Sequence, residues 1–342
     1  MKFLKVNIIN VLIFFKVYNK DCNTFCTFQK NKLMNKFSIA IHGGAGTLVK
    51  GMMTPEKEIA YKSALKEALD AGYTLLDKGG SAVQAVEIAV QVLENCHLFN
   101  AGKGSVFTAE GKHEMDASIM DGKTLNAGAV SLVSGIKNPV SLAKDVMEKS
   151  EHVFLAGEGA MIFANENGYK QETEDYFYDE FRHNQWLEIK DTDSFQLDHA
   201  TKKDSKFGTV GAVACDKDGN IAAATSTGGM TNKKWGRVGD SPMIGAGNYA
   251  NNETCAVSCT GSGEFFIRGV VAYDVSCLME HKNYSLEKAS VEVIQNRIQK
   301  INGDGGLIGV DAKGNISMPF NTEGMYRACK ASDGTEKVLI YK

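Results

Sequence analysis

The chain has 342 residues, 43% of them hydrophobic and 23% charged, with 35 glycines, four prolines and a net charge of −3. At roughly 150 residues per domain, the length suits two domains or one large one with a sizeable core. That make-up excludes a collagen-like or disordered chain, leaves no block of like charge to attract a nucleic acid, and holds no apolar stretch long enough for a membrane-spanning helix.

Residues 1–33 differ from the rest. Six lysines and one acid give them a local charge of +5, which leaves −8 on residues 34–342. Lys2 and Lys5 precede the apolar run Val11-Leu-Ile-Phe-Phe15, which mimics the basic and hydrophobic regions of a signal peptide. Asn7 and Asn10 interrupt the approach to it, and no small-residue cleavage site follows. Met34 stands just before the first regular strand and reads as an alternative start. We read 1–33 as an ineffective signal or a misassigned start and place the protein in the cytoplasm, with periplasmic or secreted location the alternative if the signal works.

The regular elements begin at Phe37. Residues 37–41 read as a short buried strand ending in His42-Gly-Gly-Ala-Gly46, a loop stripped of side chains. Pro55 opens a helix to about Lys78, with Ile59, Leu65, Leu69 and Leu76 at roughly helical spacing, and Gly79-Gly80 stops it. Ser81 caps a second helix whose Val83, Val86, Val90 and Leu93 make its buried face. Residues 129–133 read as a strand and 141–149 as a helix. From about residue 172 to 207 aromatic and charged residues mix, and the end of that segment reads as an exposed, mobile connector. Residues 209–214 and 221–225 form a hairpin around Asp216-Lys-Asp-Gly-Asn220, and 307–318 repeat the pattern. Between them, residues 265–279 and 285–301 read as two helices. Blocks of strands and helices at both ends predict sheets covered by helices in layers.

Most catalytic constellations are missing. There is no Gly-x-Ser-x-Gly elbow, no His-Glu-x-x-His pair and no phosphate-binding loop. The seven histidines lack metal-ligand spacing. The eight cysteines are widely spread, so they read as buried reduced thiols, and the pairs Cys22-x3-Cys26 and Cys255-x3-Cys259 lie too far apart to favour zinc. The second half instead accumulates small polar residues: Gly208-Thr209, Ser226-Thr-Gly-Gly229, Gly245-Ala-Gly-Asn248 and Thr260-Gly-Ser-Gly263. Such residues supply hydroxyl nucleophiles and backbone N–H donors.

A threonine hydroxyl needs a base, and a threonine at a chain N-terminus finds one in its own α-amine. That amine has an ordinary pKa of about 7.7–8.0, so a useful fraction is neutral near physiological pH. Thr209 follows the connector and Gly208 and begins an apolar strand. Scission at Gly208–Thr209 would put amine and hydroxyl together on a rigid strand end. On spacing alone, Thr209 reads more readily as an ordinary β-branched strand residue.

Several stretches in fixed order change that balance: Ile41-His-Gly-Gly-Ala-Gly46, Leu98-Phe-Asn-Ala-Gly-Lys-Gly-Ser105, Gly208-Thr-Val-Gly-Ala-Val-Ala214, Ala224-Thr-Ser-Thr-Gly-Gly229, Arg237-Val-Gly-Asp-Ser-Pro242, Gly245-Ala-Gly-Asn-Tyr-Ala250 and Thr260-Gly-Ser-Gly-Glu264. Together they resemble the plant-type (type 2) L-asparaginase and isoaspartyl aminopeptidase family of N-terminal nucleophile hydrolases, from about residue 39 to the C-terminus. The resemblance implies an α+β fold, a four-layer αββα sandwich, formed by 34–342 as one structural domain. It also implies a precursor that cleaves itself into an α subunit (34–208, ending in a linker at about 185–208) and a β subunit (209–342).

By the same resemblance Thr209 is the nucleophile toward L-asparagine and β-aspartyl dipeptides, forming an acyl-enzyme that water hydrolyses to aspartate. Thr227 supports it, Thr260 and Gly261 form the oxyanion hole, and Asn100 lies near the reacting centre. Arg237 holds the substrate α-carboxylate and Asp240 its α-amino group, with Gly261 and Gly263 beside them. No cofactor is required for the chemistry. The main-chain carbonyls of Leu93, Glu94, Cys96, Phe99, Ala101 and Lys103 match the family's sodium loop, which also reads as a plain glycine-ended loop after a helix. Self-association as (αβ)2 is implied, with no nucleic-acid or membrane partner. A glycosylasparaginase-type amidase is the nearest alternative, although those enzymes usually carry Asp-Thr where this chain has Gly208-Thr209. A non-catalytic protein of the same fold is the remote one.

Overall fold

Alternation along three neighbouring strands sets the layers. Ile39, Ile41, Ala212, Ala214, Ala222 and Ala224 point into one core, while Ala40, Val213, Cys215 and Ala223, one residue out of step, point into another. A strand buried on both faces reads as a continuous apolar run, because each face needs its own set of alternate residues.

The computed structural model describes residues 36–192 and 208–342. The extension 1–33, the alternative start Met34, Cys22, Cys26 and most of the connector lie outside the described residues. In the first described segment the elements are β1 (Ser38–Gly46), α1 (Pro55–Asp77), α2 (Ala82–Glu94), β2 (Met115–Asp121), β3 (Ala127–Val133), α3 (Pro139–Lys149), β4 (Phe154–Ala156), α4 (Gly157–Glu166), α5 (Glu174–Phe177) and α6 (Glu180–Ile189). In the second they are β5 (Val210–Cys215), β6 (Ile221–Thr227), β7 (Asn248–Ala250), β8 (Ala256–Gly261), α7 (Gly263–Gly269), α8 (Val271–Lys282), α9 (Leu286–Val291), β9 (Gly305–Val310), β10 (Ile316–Ser317), β11 (Gly324–Ala331) and β12 (Glu336–Tyr341).

An eight-stranded sheet runs in the order β12-β11-β1-β5-β6-β2-β3-β4, and a four-stranded sheet in the order β10-β9-β8-β7. Neighbouring strands are antiparallel except the parallel pair β3–β4. Helices α1 to α4 cover the outer face of the large sheet, packing Leu65, Leu69, Val86, Val90 and Val140 onto Ile39, Ile41 and Ala224. The inner faces of the two sheets meet through Ala40, Val213, Ala223, Ile308 and Val310. Helices α7 to α9 close the small sheet, with Phe266, Val275 and Ile294 against Val257 and Leu307. This is a four-layer αββα sandwich.

Several elements begin where local chemistry demands. Thr54 caps α1 by accepting from the Lys57 N–H, with Pro55 in the first turn. Ser81 and Gln84 form a reciprocal capping box at α2.

Other expectations fail for identifiable reasons. The His42-to-Gly46 run is strand rather than loop: β1 continues to Gly46 through a bulge at residues 42–44 in its pairing with β11. Ile59 lies on the solvent side of α1, 67% exposed, so its spacing was accidental. The helix expected at 265–279 is broken at Val270, whose φ of 46° ends α7 and starts α8. The helix expected at 285–301 is α9 followed by a π-helical turn and a short 3-10 turn. Before the expected connector, the segment from residue 172 is regular, and its last helix runs to Ile189, past the expected linker start at about 185. It holds α5 and α6, anchored by buried Phe177, Arg182 and Ile189.

Candidate active site

The β5–β6 hairpin builds the centre of the site. Its register sets Val210 beside Ser226, so Thr209 and Thr227 face each other one step further along. The Thr209 hydroxyl donates to Thr227 Oγ1 at 3.1 Å, and Ser241 Oγ lies 3.4 Å from it. Thr227 Oγ1 also accepts from the Gly229 N–H at 3.0 Å. All three hydroxyl residues are buried.

Gly208 passes close to β1 and β8. A Cβ on Gly44 would fall 2.5 Å from the Gly208 nitrogen, and Gly44 has a φ of +115°, so the β1 bulge needs glycine there on both counts. On the other side, Thr260 Oγ1 stands 3.3 Å from where a Cβ on Gly208 would be. That hydroxyl is buried and has no hydrogen-bond partner among the described residues. Gly261 follows it at the end of β8.

Two charged groups converge on Gly263. A Cβ there would lie 2.9 Å from Asp240 Oδ1 and 3.0 Å from Arg237 Nη2. Glu264 engages the guanidinium from Nε to Oε1 at 2.8 Å and from Nη2 to Oε2 at 2.9 Å. Burial pushes Glu264 up, but Arg237 outweighs that and holds its carboxyl below the ordinary value. Asp240 is fully buried and its Oδ2 has no partner among the described residues. Burial pushes its pKa up to about 7 against the opposing pull of Arg237. A buried carboxylate with an empty acceptor is a seat for a cation.

Thr209, Thr227, Gly208, Gly261, Gly263, Arg237, Asp240 and Asn100 line one cleft, together with Ala45, Met230, Gly239 and Ser241. Thr260 backs it beside Gly208. Both ends of the Asn100 amide are committed, Nδ2 to the Gly229 carbonyl at 2.7 Å and Oδ1 to the Val106 N–H at 3.1 Å. Asn100 therefore braces the turn after Thr227. Behind that turn Lys233 is buried and donates to the Glu114 carbonyl at 2.7 Å. Burial lowers its pKa, against the attraction of Asp116.

The stretch from Leu93 to Lys103 curls into a tight loop. Built Cβ atoms would meet Glu94 O at 2.4 Å from Gly102 and Phe99 O at 2.1 Å from Gly104. The carbonyls of Cys96, Phe99 and Ala101 accept N–H bonds within the loop, and each retains a second lone pair. Main-chain oxygens are the kind of ligand a hard cation takes. Among the described residues, no group of three His, Cys, Asp or Glu side chains could hold a metal, and the described cysteines are free thiols.

Sequence reading missed Ser241, Glu264 and His42 as site residues. The first two sit inside stretches already singled out, but only the fold shows which atom each touches. His42 lies in the matched stretch Ile41-His-Gly-Gly-Ala-Gly46, but nothing local marks which atoms its ring meets.

Comparison with known proteins supplies an independent line. The sequence model of a family described as asparaginase matches residues 35–340. The isoaspartyl peptidase of Salmonella typhimurium is 50% identical over 312 residues, covering 90% of this chain and 100% of that protein. The isoaspartyl peptidase of Escherichia coli is 49% identical over 312 residues, covering 90% and 97%. The plant-type L-asparaginase of Pyrobaculum calidifontis is 43% identical over 298 residues, covering 85% and 95%.

Proposed function

This chain belongs to the asparaginase family and is a hydrolase, and from that premise we propose an N-terminal threonine mechanism that cleaves the chain at Gly208–Thr209 and then hydrolyses L-asparagine and β-aspartyl dipeptides. The relatives, named isoaspartyl peptidase and L-asparaginase, support that substrate class. The observation that carries it is the convergence of Arg237 and Asp240 on Gly263 in the cleft that holds Thr209 and Thr227. A cation and an anion held at fixed spacing beside a hydroxyl match an α-amino acid whose side-chain carbonyl meets that hydroxyl.

In this reading Thr209 Oγ1 attacks the side-chain carbonyl and the freed α-amine takes its proton. Thr227 fixes the hydroxyl, while the Thr260 hydroxyl and the Gly261 N–H receive the developing oxyanion. The amine or ammonia leaves, water hydrolyses the acyl-enzyme, and L-aspartate is released. Arg237 takes the α-carboxylate, Asp240 takes the α-ammonium, and Gly263 leaves room for both. Asn100 holds the turn that carries Gly229. The carbonyls of Leu93, Glu94, Cys96, Phe99, Ala101 and Lys103 would hold a structural sodium ion. We further propose an (αβ)2 assembly and a cytoplasmic location. Among the described residues no helix is long and apolar enough to cross a membrane.

Intact mass spectrometry of aged wild-type protein beside Thr209→Ala tests the reading. Two chains parting between Gly208 and Thr209, absent in the variant, are expected together with release of aspartate from L-asparagine. A single uncut wild-type chain, or an active Thr209→Ala protein, would overturn it.

A further inference from the structure

His42 is fully buried between the sheets and the mechanism above leaves it unused. Its Nδ1 lies 3.1 Å from the main-chain carbonyl of Thr209, and its Nε2 lies 2.9 Å from Ser258 Oγ. A carbonyl only accepts, so Nδ1 carries the hydrogen and Nε2 accepts from the serine. Ser258 Oγ stands 2.7 Å from Thr225 Oγ1. The single hydroxyl hydrogen of Thr225 lies between Ser258 Oγ and the Gly247 carbonyl, which stands 3.1 Å away. Asn248 Nδ2 approaches Thr225 Oγ1 at 3.4 Å. The hydrogens at the ring thus run from Ser258 to Nε2 and from Nδ1 to the Thr209 carbonyl.

The backbone is built around this chain. His42 pairs with Gly211, and Gly211 pairs with Thr225, so the three lie in one row across β1, β5 and β6. A Cβ on Gly211 would fall 2.0 Å from Ser258 Oγ and 2.5 Å from His42 Nε2. Only glycine in the middle of the row lets the flanking side chains meet the serine descending from β8.

We infer that His42 is a positioning residue for the nucleophile, holding the Thr209 carbonyl by its Nδ1–H and taking its own orientation from Ser258 in the facing sheet. The inference rests on the reading of Thr209 as the nucleophile. The residue bearing the reacting hydroxyl is thereby tied across both sheets at its main chain, two bonds from the Cα that carries its amine and side chain. Burial pulls the imidazole down to about 3 against the opposing Thr209 bond, so the ring keeps this single-hydrogen form throughout the working range.

The test uses cleaved full-length protein with His42→Leu, His42→Asn and Ser258→Ala, assayed on L-asparagine, with melting temperature read alongside. Loss of the hold should lower kcat about 10- to 100-fold in His42→Leu and leave KM within about twofold. His42→Asn places an amide donor near the Nδ1 position and should recover part of that loss. Ser258→Ala keeps the ring, removes only its orienting hydroxyl and should lower kcat by a smaller factor. Should His42→Leu fail to fold, Ser258→Ala and nitrogen NMR of wild-type imidazoles carry the test, with Nδ1 protonated and Nε2 bare expected. Unchanged kcat in Ser258→Ala and in any folded His42→Leu, or a proton found on Nε2, overturns the inference. Wild-type protein that cleaves and hydrolyses while the variants match it condemns His42 alone. An uncut wild type condemns the nucleophile reading instead, and the NMR result is independent of both.

Discussion

Glu264 grips the guanidinium of Arg237 along its Nε–Nη2 edge, leaving the Nη1 end toward Gly239 and the cleft. A guanidinium presents its donors as a rigid fork, so fixing one edge aims the others. The Glu264 side chain is 51% exposed, which limits what the pair adds to stability. Its effect should fall on substrate binding. Glu264→Gln should raise KM for L-asparagine about three- to tenfold with kcat little changed, because orientation of a clamp acts on ground and transition states alike. Arg237→Lys should cost about 10- to 100-fold in kcat/KM, since a point charge cannot reproduce the fork. Steady-state kinetics on both variants check this.

Thr260 offers a buried hydroxyl with no partner among the described residues, beside Gly208. Thr260→Ala should lower kcat about 10²- to 10³-fold, the usual cost of losing one oxyanion donor. Thr260→Ser should keep most of the rate. A time course of chain cleavage in the same variants reads whether the hydroxyl also serves the scission step.

Asp240 must be ionised to hold an ammonium group, and burial sets its pKa at about 7. The charged form gains as pH rises, so kcat/KM should climb through neutrality rather than through the ordinary carboxylate range. Once substrate is bound, its ammonium favours the carboxylate. The acid limb of kcat should therefore lie at lower pH than that of kcat/KM. Paired pH profiles distinguish the two limbs.

Glu94 is buried where α2 meets α3, accepting from the Val140 N–H at 3.0 Å and Asn138 Nδ2 at 3.1 Å. Burial raises its pKa to about 7. The folded chain keeps this proton where the unfolded chain releases it, so the contribution is full below about pH 4 and is lost as pH rises through 7. Glu94→Gln cannot ionise. Its melting temperature relative to wild type should rise steadily between pH 5 and pH 8.

His42 and His113 act in the opposite sense. Burial lowers them to about 3 and about 4, so below pH 6.5 the unfolded chain takes up protons that the folded chain refuses. Wild-type stability should fall between pH 6.5 and pH 3 from this source. An acid titration followed by circular dichroism checks it, with His113→Gln expected to flatten the decline.

Much of the architecture was legible because local rules dictate it. Pro55 after Thr54, and Ser81 before Gln84, start helices whatever the tertiary context. The Asp216-to-Asn220 turn closes a hairpin whose length alone sets Thr209 opposite Thr227. Strand β2 alternates apolar and polar residues over Met115-Asp-Ala-Ser-Ile119, but alternation suggests one wet face, whereas Asp116 and Ser118 are buried, held by Leu132 and Ser241. The break at Val270 was invisible for a related reason, since nothing in valine announces a left-handed backbone.

Layers, hairpin and glycine-rich stretches follow from local rules, because periodicity, capping and turn chemistry act between residues a few positions apart. The partners came from packing: Glu264 on Arg237, Thr260 beside Gly208, and Ser258 reaching over Gly211 to His42. Those contacts join residues 27, 52 and 216 positions apart. No local rule spans such distances, and glycines at Gly44, Gly211 and Gly263 let the chains approach.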